Sequence, residues 1–144
     1  MSTDEKTTGI ETKALLSTLW IFMLLNMLFR DFHELLRPGT IEEMTAGVVN
    51  GTPMTEELVL LGGIMLEIPI LMVLLCRILN YRVNRWANII LAPVTAAMIL
   101  QNGVRDLDDI FFVTIEVAAL AVIVWVAWRW RKPELGSKQT NLTS

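Results

Sequence analysis

Four apolar stretches, Ala14–Phe29, Leu58–Cys76, Trp86–Val104 and Ile110–Trp128, are separated by polar segments along the 144-residue chain. A helix needs about 20 mostly apolar residues to cross a hydrocarbon core, and only helices or closed barrels satisfy their backbone groups there. The pattern predicts an all-α protein, a membrane-spanning antiparallel four-helix bundle over residues 13–131. Residues 1–12 and 132–144 are polar and read as flexible cytoplasmic ends.

Turn chemistry sets the expected boundaries. Helix one is predicted over Lys13–Phe32, and Pro38-Gly39 and Asn50-Gly51-Thr52-Pro53 mark turns in the loop after it. Ile41–Val49 between them reads as a short interfacial helix. Thr55-Glu56-Glu57 has the form of a helix start, an N-cap hydroxyl with carboxylates in the first turn. Helix two is predicted to end near Leu79, and Asn80-Tyr81-Arg82 makes a link so tight that helices two and three must be antiparallel neighbours. Helix three gives way at Asn102-Gly103, and Val104–Leu107 leads into helix four. Pro69 and Pro93 fall inside helices two and three, leaving the carbonyls of Met65 and Ile89 without their amide partners.

The charges order these helices across the bilayer. Nine basic residues (among them Lys13, Arg77, Arg82, Arg85 and Arg129) fall on the side of the termini, and three, Arg30, Arg37 and Arg105, on the other. The positive-inside bias then predicts a multi-pass protein of the cell inner (plasma) membrane with both termini cytoplasmic. The segment before Ala14 mixes acids with lysines, and Arg30-Asp31-Phe32-His33 offers no small-residue cleavage site, so the first helix is expected to be retained.

Composition removes several functions. A single cysteine, Cys76, excludes an internal disulfide and the thiol relay of a vitamin K epoxide reductase. A single histidine, His33, cannot bracket a haem or hold a zinc by itself. No cofactor is expected, and no region is basic enough for nucleic acid.

The candidate chemistry lies in polar residues inside the apolar segments. Glu67 stands at the centre of Leu58–Cys76, and Glu116 lies inside the fourth segment. A charge at such depth is costly and should face the bundle interior, paired or protonated, so the two carboxyls are expected inward and near each other. Glu56, Gly63 and Glu67 share a helical stripe, as do Asp109 and Glu116. Asn84, Asn88, Thr95 and Asn102 form a polar seam on helix three, and Asn26, Arg30 and His33 align on helix one. Arg30, with Arg105 second, is the natural counter-charge. The expected ligand or proton site is Glu67, Glu116, Asn26, Asn88, Arg30 and Asp109, with no metal. The bland alternative, in which these groups only join helices, has equal weight.

The runs Leu16-Ser17-Thr18-Leu19-Trp20-Ile21-Phe22, Glu67-Ile68-Pro69, Asn84-Arg85-Trp86-Ala87-Asn88 and Trp125-Val126-Ala127-Trp128-Arg129-Trp130 resemble an uncharacterised bacterial family of small four-helix integral membrane proteins, a domain of unknown function. The resemblance spans Leu16 to Trp130 and implies location and architecture only. A looser likeness, in helix count and size, is to DoxX-like membrane proteins.

Three functions fit these residues. The first is a non-enzymatic bundle that binds a lipidic or amphiphilic ligand or a membrane partner. The second is a proton-coupled small-molecule exporter, working as an oligomer with Glu67 as titrating site. The third is a lipid-transforming enzyme, resembling the sterol isomerase type, with Glu67 and Glu116 as acid and base. The expected partners are the lipid bilayer, a lipidic small molecule and further copies of the chain in a homo-oligomer.

Overall fold

The computed structural model describes residues 3–49, 51–101, 103–104 and 106–131. The elements run α1 (Thr3–Leu35), α2 (Thr40–Thr45), β1 (Val48–Val49), β2 (Thr52–Pro53), α3 (Glu56–Ile78), α4 (Tyr81–Gln101) and α5 (Leu107–Arg129). α1, α3, α4 and α5 are long and apolar enough to cross a membrane. They form an up-and-down bundle in which α1 packs on α3 and α5, α4 packs on α5, and α3 and α4 meet least. Both described chain ends and the α3–α4 link lie at one end of the bundle, the terminal end. The α2–β1–β2 excursion and the α4–α5 link lie at the other, the loop end.

The starts and stops follow local chemistry. Thr55 caps α3, its hydroxyl accepting the Leu58 amide at 3.3 Å, with Glu56 and Glu57 in the first turn. Gly103, at φ 84°, ends α4 in a conformation that residues with a Cβ adopt only at a cost. The backbone stays helical through Pro69 and Pro93.

Three boundaries differ from the sequence expectation. α1 begins at Thr3 rather than Lys13, its polar first turns containing no proline to stop it. The predicted helix over Ile41–Val49 is cut to Thr40–Thr45, because Gly47 turns the chain at φ 73° and the β-branched pair Val48–Val49 joins Thr52–Pro53 in a two-stranded ribbon. The α3–α4 link is shorter than Asn80-Tyr81-Arg82, since Tyr81 is already helical.

The bundle core is built from Leu16, Trp20 and Met23 of α1, Met72 and Cys76 of α3, Ala92 and Ile99 of α4, and Leu120, Ile123 and Ala127 of α5. Lipid tails are as apolar as these side chains, so burial alone distinguishes inside from outside poorly. Specificity has to come from close packing and from hydrogen bonds between helices.

Candidate functional site

Two polar layers cross the interior, one in each half of the bundle. In the terminal half, Asn88 is the centre. Its amide Nδ2 donates to the carbonyl and to the side-chain oxygen of Asn84, both at 2.8 Å, and its Oδ1 accepts the indole N–H of Trp20 at 2.8 Å. Asn84 Nδ2 donates to the Cys76 carbonyl at 2.6 Å, one of the last carbonyls of α3, which have no partner within their own helix. Ser17 adds a bond to the Val73 carbonyl at 2.8 Å. Asn84, Asn88 and Trp20 are fully buried, so α1, α3 and α4 are joined by groups with nowhere else to bond. At the end of the bundle, Tyr81 and Arg85 do the same for α5, donating to the carbonyls of Trp130 at 2.7 Å and Trp128 at 3.2 Å.

The second layer, in the loop half, is ionic. Arg30 of α1 and Glu116 of α5 form a pair at 3.0 Å, with the Glu116 side chain fully buried. Asp31 and Asp109 are within electrostatic reach of Glu116, and Asp109 is itself buried. Asp31 is also within electrostatic reach of Arg30 and of Asp109, so the layer holds three carboxyls and one guanidinium. Glu116 Oε1 is buried with no hydrogen-bond partner among the described residues. Above this layer Arg37 ties the end of α1 to the start of α5, pairing with Glu34 at 3.1 Å, with Asp108 at 3.9 Å and with Asp106. His33 meets Phe112 edge-to-face, centroids 5.4 Å apart.

Beside the ionic layer, where α3 stands off from α4, a cavity of about 220 Å³ opens between α1, α3 and α4. Arg30, Asp31 and Thr95 supply its polar wall, and Met27, Met65 and Met98 much of the rest. Gly62 lies on its rim, and a Cβ placed there would meet nothing within 4 Å. A second hollow of about 260 Å³ is a nearly all-apolar groove between α1 and α3, walled by Leu24, Leu28, Leu66 and Ile70. The two share Met27, Asp31 and Leu66. A third, about 360 Å³, lies between α1 and the α2–β1 segment and again has Asp31 in its wall.

The sequence-predicted site residues therefore separate. Arg30, Asp109 and Glu116 come together in the loop half, while Asn88 belongs to the other layer. Asn26 is half-buried and donates at 2.8 Å to the Phe22 carbonyl of its own helix. Glu67 corrects the expected arrangement. It is exposed on the outer side of α3 and does not face Glu116. The stripe Glu56, Gly63 and Glu67 is real but points outward, because the buried face of α3 is Pro69, Met72 and Cys76. The two carboxyls thus cannot serve as acid and base on one substrate. Arg105 and Asn102 lie outside the described residues. Asp31, in the wall of all three hollows, is not among the expected site residues because it is one residue off the Arg30 stripe. Trp20, a buried donor to Asn88, is not among the expected site residues either. No three of His, Cys, Asp and Glu among the described residues are placed to hold a metal ion.

Residues 7–137 match the sequence pattern of DUF6326, a family of unknown function. The chain belongs to that family. The match covers all four apolar helices and both polar layers, so the Arg30–Glu116 pair and the Asn84–Asn88 network lie inside the region that defines DUF6326. No curated protein and no solved structure matches the chain.

Proposed function

We propose that this DUF6326 protein is a non-enzymatic membrane bundle that holds an amphiphile, its polar head against Arg30 and Asp31 and its tail in the α1–α3 groove. The observation that carries the reading is the adjacency of the two hollows: the cavity walled by Arg30, Asp31 and Thr95 shares three residues with an apolar groove on the outside of the bundle. A ligand reaching it from the bilayer would keep its tail among apolar side chains throughout. The surplus of carboxyls over the single guanidinium favours a head with a cationic or hydrogen-bond-donating part. A zwitterionic head fits both signs, its anion on Arg30 and its amine on Asp31.

Gly62→Leu tests this. Its side chain enters open space at the cavity rim, so the fold is expected to persist and the cavity to be filled. Mass spectrometry of protein purified in mild detergent is expected to find a discrete amphiphile with the wild type and to lose it with the variant. The same lipids at the same stoichiometry on both proteins would sink the reading.

The proposal includes orientation in a cell inner membrane, with the termini cytoplasmic and the loop end outside, supported by the nine-to-three division of basic residues. Thr45→Cys in the exposed α2 is expected to react with an impermeant thiol reagent in intact cells, and Asn80→Cys in the exposed α3–α4 link is not. The reverse pattern would invert the topology.

A further inference from the structure

We propose that the outer side of α3 is a homodimer interface in which Glu67 of one copy hydrogen-bonds Glu67 of the other across a two-fold axis along the membrane normal.

Glu67 is exposed at the midpoint of α3, eleven residues from Glu56 and eleven from Ile78. At about 1.5 Å per residue that is roughly 16 Å from either end, beyond the reach of a glutamate to the headgroups. Among the described residues no hydrogen bond or ion pair in the chain engages it. From Leu58 to Cys76 it is the sole charged residue, on the least buried of the four apolar helices. Acyl chains cannot hydrogen-bond it, and a carboxyl facing them is among the costliest groups a span can carry. Something with a donor and an acceptor has to cover it.

The covering surface is legible around it. Leu60, Ile64, Glu67, Leu71, Leu74 and Ile78 follow one another at alternating steps of four and three, the spacing of a helix–helix seam. All six are exposed, so the seam is turned away from the bundle and has no partner within the chain. Gly63 lies beside it, and a Cβ there would meet nothing within 4 Å, so a neighbouring backbone can come close.

A second copy is the occupant these features select. A protonated carboxyl donates and accepts at once, so Glu67 is its own complement, as an acid–acid or acid–carboxylate pair. Copies inserted in the same direction place Glu67 at the same depth, and a two-fold interface brings each residue of the seam against its own mate. A polar residue within an apolar seam also fixes register. The interface leaves the cavity side of α3, where Gly62 and Met65 lie, on another face of the helix, and so does not depend on what the cavity holds.

Cysteine cross-linking in native membranes tests the proposal with Glu67 intact. Leu60→Cys, Leu71→Cys and Leu74→Cys are each expected to give a disulfide-linked dimer on mild oxidation. Leu61→Cys on the flank of α3 and Val122→Cys on α5, both exposed, are expected to stay monomeric, and the wild type with its buried Cys76 is the blank. Monomer at all three seam positions, or equal yields at seam and control positions, would overturn the interface. The Glu67 pair is tested separately by energy transfer between labelled copies in liposomes. Glu67→Gln, whose amide still donates and accepts, is expected to keep the wild-type dimer, and Glu67→Leu to raise its Kd about tenfold. A leucine variant that dimerises as tightly as the wild type would overturn the role of Glu67.

Discussion

Arg30→Ala is expected to destabilise the bundle by about 3–5 kcal/mol, the largest effect of any single change in the chain. The alanine leaves the fully buried Glu116 carboxylate without its guanidinium, and removing one partner of a buried pair costs that much because the other charge stays behind. Asp31 and Asp109, close enough to repel Glu116, add to the cost. Removing both charges is a different experiment. Arg30→Met combined with Glu116→Leu trades the pair for packing, and such exchanges are often neutral or stabilising. Thermal unfolding in detergent, with the single and double variants side by side, checks both statements. A single variant as stable as the wild type would mean that the pair is not buried as described.

Asn88→Leu has the next largest expected effect. The substitution leaves the Trp20 indole N–H without its acceptor, and the Asn84 side-chain oxygen without its donor, among fully buried side chains. Each orphaned buried group costs about 1–3 kcal/mol, reduced in a bilayer because the separated helices find other partners. A total loss of about 2 kcal/mol is expected. Asn26→Leu is the control, since its bond stays within its own helix; it is expected to change stability by a few tenths of a kcal/mol at most. Tryptophan fluorescence gives an independent readout, because freeing the Trp20 indole should shift its emission to shorter wavelength. Equal effects at Asn88 and Asn26 would remove the Asn88 network as a determinant of the fold.

The sequence pattern carries the helices and their order more reliably than their rotation. Each apolar span is long, so its existence follows from the bilayer's thickness, and the short α3–α4 link makes those two helices antiparallel, although they pack on each other less than on α1 and α5. The face that each helix turns inward is legible only where polar residues repeat at helical spacing. On α4 the seam Asn84, Asn88 and Thr95 does this, and all three are buried. On α5 Asp109 and Glu116, two turns apart, do the same. α3 has apolar residues all round and one glutamate, and the rule that sends an intramembrane carboxyl inward points the wrong way there. Both faces of α3 are equally oily; its packing against α1 uses the less bulky side, Pro69, Met72 and Cys76, and turns Glu67 out. The cavity was not legible at all. It depends on how far α3 stands off from α4, a matter of packing between segments that no periodicity encodes.

The methionines are the most direct witnesses of the amphiphile proposed for the cavity. Met27, Met65 and Met98 line the cavity, while Met23 and Met72 are sealed in the core. With methyl-labelled methionine in deuterated detergent, the protein purified from cells should show nuclear Overhauser contacts from the three cavity methyls to a protonated ligand, and none from Met23 or Met72. Contacts confined to water, or equal contacts at cavity and core methyls, would contradict the proposal that the Arg30–Asp31 cavity holds an amphiphile.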